Sequence, residues 1–216
     1  MPYITRKNRE LIFLHIPKTG GTSFYHSLCQ NGWHVKGLEN TGNPNGILEQ
    51  LKKNYNGRVD SHSKITYWCW LPQQHALPIF LKRRYRSLES IAIIRDPLDR
   101  YVSAASRLFL ESNWLSFDEF VQNLLIKKKK NPLYRYTSYA GHFIPQKSYI
   151  NDKTRIFSFS KSGFSSLASF LNLDKPLPKL NVGKKNPSIQ DLRFSTITKI
   201  KKLYKHDYLL WESIKE

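Results

Sequence analysis

Cysteine, acidic residues and long apolar runs are all scarce in this chain, and each shortage removes a class of protein. Of 216 residues only two are cysteines. Cys29 and Cys69 are too few for a disulfide framework and have no metal-type spacing, so both are expected to be buried apolar side chains. No apolar stretch reaches the ~20 residues that a membrane helix needs. The first run, LIFLHI at 11–16, is too short for a secretory signal, so no basic segment here is followed by a long apolar stretch. The expectation is a soluble, cytoplasmic protein. Asp and Glu total 16 against 35 Lys and Arg, a net charge of +19. That excess favours anionic partners: a multiply charged cofactor, an acidic glycan or, on charge alone, nucleic acid. The lysine run 127–130 reads first as a solvated helix end that complements the dipole, and second as a polyanion patch.

What is present suits one α/β domain over the whole chain, 1–216. A content of 40% hydrophobic and 13% aromatic residues is ample for one core. The pattern predicts a strand at 10–16, helix 21–31, a Gly/Asn-rich loop at 37–46, a weak helix at 47–54 and an extended stretch at 57–68. Helix 76–86, strand 90–95, helix 97–110 and helix 116–130 follow. Strand 155–160, helix 163–172, a Pro/Lys/Asn-rich loop at 174–187 and a closing helix from about 188 to 207 complete the reading. Strands alternate with helices, which predicts a mostly parallel sheet flanked by helices.

Two strand-to-helix junctions carry chemistry. In LIFLHIPKTGGTS an apolar strand runs into a turn and then a helix, an arrangement that binds phosphate or sulfate through backbone N–H groups and the helix N-terminus. Gly20 and Gly21 permit close approach, Lys18 adds a full charge, and Thr22 and Ser23 offer hydroxyls. The order is not that of the ATP-binding G-x-x-x-x-G-K-[ST] loop, because Lys18 precedes the glycine pair. In SIAIIRDPLDRYVSAASRLF, Arg95 leaves the end of a buried strand and Ser103 follows about two helical turns later, so both can face a ligand at the carboxyl edge of the sheet. Asp96, Asp99 and Arg100 are read as structural, as dipole partners and a surface ion pair.

Together these segments resemble the carbohydrate branch of the sulfotransferases that use 3'-phosphoadenosine 5'-phosphosulfate (PAPS), typified by heparan sulfate 2-O-sulfotransferase. The resemblance implies a P-loop-type three-layer fold and a PAPS cofactor with no metal required. It puts Lys18, Thr19, Gly20, Gly21, Thr22 and Ser23 on the phosphosulfate, and Arg95 and Ser103 on the 3'-phosphate. PQKSYI at 145–150 resembles the family's Pro-Gln element. LNVGKKNPS at 180–188 is similar to its late basic loop near the cofactor, which puts Lys184 and Lys185 there. The partners implied are PAPS, its product PAP, and a hydroxyl acceptor, expected to be a glycan. The animal Golgi members carry a membrane anchor, and no such segment is seen in this sequence.

Transfer of a sulfuryl group to a hydroxyl calls for a cation at the leaving phosphate, a role for Lys18, and a base that titrates near neutrality. His62, in DSHSKITYW, resembles the family's base in local context and is favoured. His75 competes on spacing, since it lies 20 positions before Arg95 and His62 lies 33 before it. His15, at the end of the first strand, is expected to shape the turn. The family's glutamate at the end of the late strand has no counterpart in FSFSKSGF. Tyr134, Arg135, Tyr136 and Tyr139 form a cluster that either faces a sugar or packs in the core. Two other classes stay open: a P-loop-type nucleotide phosphotransferase, which would need Mg²⁺ and ATP, and a non-catalytic polyanion or nucleic-acid binder.

Overall fold

The computed structural model describes residues 2–37, 78, 86–130, 141–174 and 187–214. The loop, helix and extended stretch expected between 38 and 77 lie outside the described residues, as does nearly all of helix 76–86. In chain order the strands are β1 (Pro2–Arg6), β2 (Arg9–Phe13), β3 (His34–Gly37), β4 (Ser90–Ile94) and β5 (Thr154–Ser158). The helices are α1 (Gly21–Gln30), α2 (Pro97–Leu110), α3 (Phe117–Lys130), α4 (Lys161–Leu171), α5 (Phe194–Leu203) and α6 (Lys205–Glu212).

These strands form one mixed sheet in the order β3-β1-β2-β4-β5. The core trio β2, β4 and β5 is parallel, joined in register by Phe13 with Ile91 and by Ile91 with Arg155. β1 and β3 add an antiparallel side that the sequence pattern does not announce. The β1–β2 hairpin turns through Lys7 and Asn8, with Lys7 in the left-handed region at φ 52°. β2 and β4 alternate with period two, as strands covered on both faces must. Leu11, Phe13, Ile91 and Ile93 meet Phe24 of α1 and Leu167 of α4 on one face. Ile12, Leu14, Ala92 and Ile94 meet Ile144 and Tyr149 on the other.

Helix α2 starts where Pro97 suggests. The Asp96 side chain caps it, accepting the N–H groups of Leu98 and Asp99 at 2.9 Å. Its inner face packs with α3 and α5 through Tyr101, Val102, Phe120, Val121 and Ile200. Asp118 of α3 is buried and receives the Arg193 N–H at 2.9 Å and the Gln122 amide at 2.7 Å, which fixes the entry to α5. Burial pushes the Asp118 carboxyl up, but these hydrogen bonds and the Arg193 charge outweigh it and hold the group below its usual range.

Three local expectations are corrected. The closing helix is divided: Ser188 caps a 3-10 turn at Ile189–Asp191, α5 follows, and the chain bends at Tyr204 before α6. Arg100 does not lie at the surface and forms no ion pair among the described residues. It is 1% exposed and donates to the carbonyl oxygens of His142 at 3.0 Å and Ile144 at 2.8 Å. Cys29 is exposed, not buried, and Cys69 lies outside the described residues. Among the described residues no helix is long and apolar enough to cross a membrane.

Candidate active site

Left-handed backbone shapes the turn after β2. Lys18 and Gly20 both sit in the left-handed region, at φ 68° and 81°, and Gly20 caps α1 without any side-chain hydrogen bond. Thr19 is fully buried and its hydroxyl donates to the Ile16 carbonyl at 2.8 Å, so the side chain ties the turn down. The glycine pair has steric reasons on the protein side. A Cβ on Gly21 would overlap the His15 ring, and one on Gly20 would come within 2.8 Å of the Phe159 ring. His15 is in turn held by the Tyr25 hydroxyl, 2.7 Å from Nδ1, and stacks on Phe13 with centroids 5.4 Å apart. It shapes the turn, as its position at the strand end suggests.

Arg95 comes to this turn from β4. Its Nη1 donates to the Lys18 carbonyl at 3.4 Å, and its guanidinium carbon lies 4.9 Å from the centre of the Phe159 ring. The Nε of Arg95 is buried with no hydrogen-bond partner among the described residues. Arg95 and Ser103 line one cleft of about 460 Å³, together with Asp99, Ser106, Pro187 and Ser188. The Ser106 hydroxyl lies 2.7 Å from the carbonyl oxygens of both Val102 and Pro187, which holds the end of the 180–188 stretch against α2. Burial lowers the Lys18 ammonium from its usual pKa, and the charges of Arg107 and Arg95 push it the same way. Three cations thus share one small region.

A family model described as the sulfotransferase family matches residues 1–212. The chain belongs to the sulfotransferase family. No curated protein matches it. As a member it is an enzyme that transfers sulfate, and its helix-flanked sheet with a parallel core is the P-loop-like fold of sulfotransferases.

Of the residues singled out in this sulfotransferase from its sequence, Lys18, Thr19, Gly20, Gly21 and Ser23 lie on the turn and the first turn of α1, Arg95 touches that turn at Lys18, and Ser103 lines a cleft with Arg95. The Thr22 side chain, His62, His75, Lys184, Lys185 and the tyrosine cluster at 134–139 are outside the described residues. Three contributors escaped the sequence reading. Phe159 underlies both Gly20 and Arg95, and only its place at the end of a parallel strand hints at this. Arg107 stands one helical turn after Ser103, a spacing that was available. Gln146 was noticed only as part of the Pro-Gln element. Its amide takes the Arg95 N–H on Oε1 at 3.0 Å and gives Nε2–H to the Arg95 carbonyl at 2.8 Å.

Proposed function

We propose that this sulfotransferase uses PAPS as donor and sulfates a hydroxyl on a carbohydrate-type acceptor, releasing PAP. The observation that carries the reading is Arg95. Its buried, unpartnered Nε faces no protein acceptor among the described residues, its Nη1 reaches the Lys18 carbonyl, and Ser103 lines the same cleft. A buried donor without a partner is costly, and a phosphate oxygen is the acceptor that suits a guanidinium best. The residues therefore fit a ligand with two anionic groups, one over the turn at 18–23 and one against Arg95 and Ser103.

Bound, PAPS supplies the sulfuryl group that moves to the acceptor oxygen. Thr19 contributes through its backbone, because its hydroxyl is engaged with Ile16. Lys18 offers its charge to the oxygen that gains negative charge as the bond to sulfur breaks. A histidine, His62 in preference to His75, takes the proton from the acceptor hydroxyl. The charges of Lys184 and Lys185 are assigned to the anionic donor by the resemblance of the 180–188 segment to the family's late basic loop.

A thermal-shift panel tests the donor. PAP raises the melting temperature without added metal and more than ADP or ATP does, because a ligand that binds only the folded state stabilises it. Equal shifts from PAP and ADP would remove Arg95 and Ser103 from the 3'-phosphate.

A further inference from the structure

The segment 142–147 is gripped along its backbone by side chains from α2, from the bend between α5 and α6, and from α6. Arg100 donates to the carbonyl oxygens of His142 and Ile144 at 3.0 and 2.8 Å. The Tyr204 hydroxyl donates to the Phe143 carbonyl at 2.7 Å. Asp207 accepts the N–H of Gln146 on Oδ2 at 2.8 Å and that of Lys147 on Oδ1 at 3.0 Å. Arg100, Tyr204 and Asp207 are all buried. Burial pushes the Asp207 carboxyl above its usual range, against the pull of Arg100 and of the two N–H bonds.

Burying a carboxylate and a guanidinium is an expensive way to shape a loop that apolar packing could hold. What the loop delivers is one side chain. Gln146 is 0% exposed, and its amide bonds both backbone polar groups of Arg95, so the peptide units on either side of the Arg95 Cα are fixed together. The direction in which the guanidinium leaves the sheet follows from those two bonds.

We infer that Gln146 and Asp207 are positioning residues for Arg95: Asp207 fixes the Gln146 backbone, and the Gln146 amide aims the guanidinium into the cleft where a 3'-phosphate is read. The inference rests on the donor reading given under Proposed function. Gln146 acts on Arg95 directly and Asp207 acts through Gln146, so their effects are graded.

Calorimetric titration of the full chain with PAP and with ADP tests it, using wild type, Gln146→Met, Gln146→Glu and Asp207→Asn. The readout is the ratio of the two dissociation constants. A variant that is partly unfolded weakens both ligands by the same factor and leaves that ratio alone, so a merely structural role does not move it. Wild type favours PAP, and Gln146→Met loses about tenfold or more of the preference, the scale of a misaimed charge-assisted contact. Gln146→Glu, which sets a carboxylate oxygen against the Arg95 carbonyl, moves in the same direction, and Asp207→Asn loses less. An unchanged ratio in both Gln146 variants overturns the inference. An unchanged ratio in Asp207→Asn alone removes Asp207 from it and leaves Gln146. A wild type that binds PAP and ADP equally overturns the donor reading instead, and that arm is read without any variant.

Discussion

The Arg95 guanidinium donates to the Lys18 carbonyl oxygen at 3.4 Å, joining segments 77 positions apart. The two strand-to-helix junctions, separate in the sequence, therefore meet in the structure, with β2 and β4 as their parallel support. A donor that spans both would be held at a fixed length between them.

Replacing Arg95 by Ala is expected to remove most of the preference for PAP over ADP. Calorimetry should show PAP binding weakened by about one to two orders of magnitude and ADP binding changed far less, since hydrogen bonds to charged groups are among the stronger polar contacts. If the mutant keeps the wild-type preference, another residue reads the 3'-phosphate.

Lys18 should act mainly in the transition state. Lys18→Ala is expected to lower kcat more than it weakens PAP binding, because the charge it neutralises grows as the leaving group departs. Its lowered pKa adds a pH signature. Between that lowered value and the usual 10.5 the folded protein holds fewer protons here than the unfolded chain, so this group's unfavourable contribution fades as pH rises through the window. Anion binding reverses the shift and takes up protons. Titration with PAP at alkaline pH in buffers of different ionisation enthalpy should show that uptake, and Lys18→Met should abolish it.

Gly21→Ala tests the packing beneath the turn. The new Cβ would meet the His15 ring, which Tyr25 holds in place, so stability should fall by about 1–3 kcal/mol or more in urea unfolding. His15→Ala in the same chain opens that space and should recover part of the loss. A Gly21→Ala protein as stable as wild type would mean that the His15 ring moves aside freely.

Asp118 gives an acid-sensitive dock for α5. Its pKa is held down in the folded state, so the stability it contributes is present above the usual 3.8 and is lost as pH falls through the lowered value. Asp118→Asn should therefore be destabilised relative to wild type at neutral pH, with the difference shrinking in strong acid. A constant difference across pH would show that the charge plays no part.

Much of this was legible in the sequence wherever a strong local pattern coincided with the final structure. The apolar run at 11–16 with its Gly-Gly turn, and Ile91–Ile94 followed by Pro97, gave strand, turn and helix close to their observed bounds. β1 and β3 were not legible. They are short, the turn from β1 into β2 runs through Lys7-Asn8 without a glycine, and their pairing is decided by the sheet they join. Arg100 misled because an Arg following Asp96 and Asp99 has the spacing of a surface ion pair, whereas its partners are carbonyl oxygens 42 and 44 positions away. Gln146 was visible as a residue, but its clasp joins it to Arg95, 51 positions before it, and its backbone is held by Asp207, 61 positions after it.

The most direct measurement is the fate of the donor itself. The enzyme is incubated with PAPS or with ATP and Mg²⁺, each with a panel of glycan and small hydroxyl acceptors, and the nucleotides are separated by chromatography. The account expects acceptor-dependent conversion of PAPS to PAP, lost in Lys18→Ala, with ATP left intact. Consumption of ATP beside unchanged PAPS would contradict it.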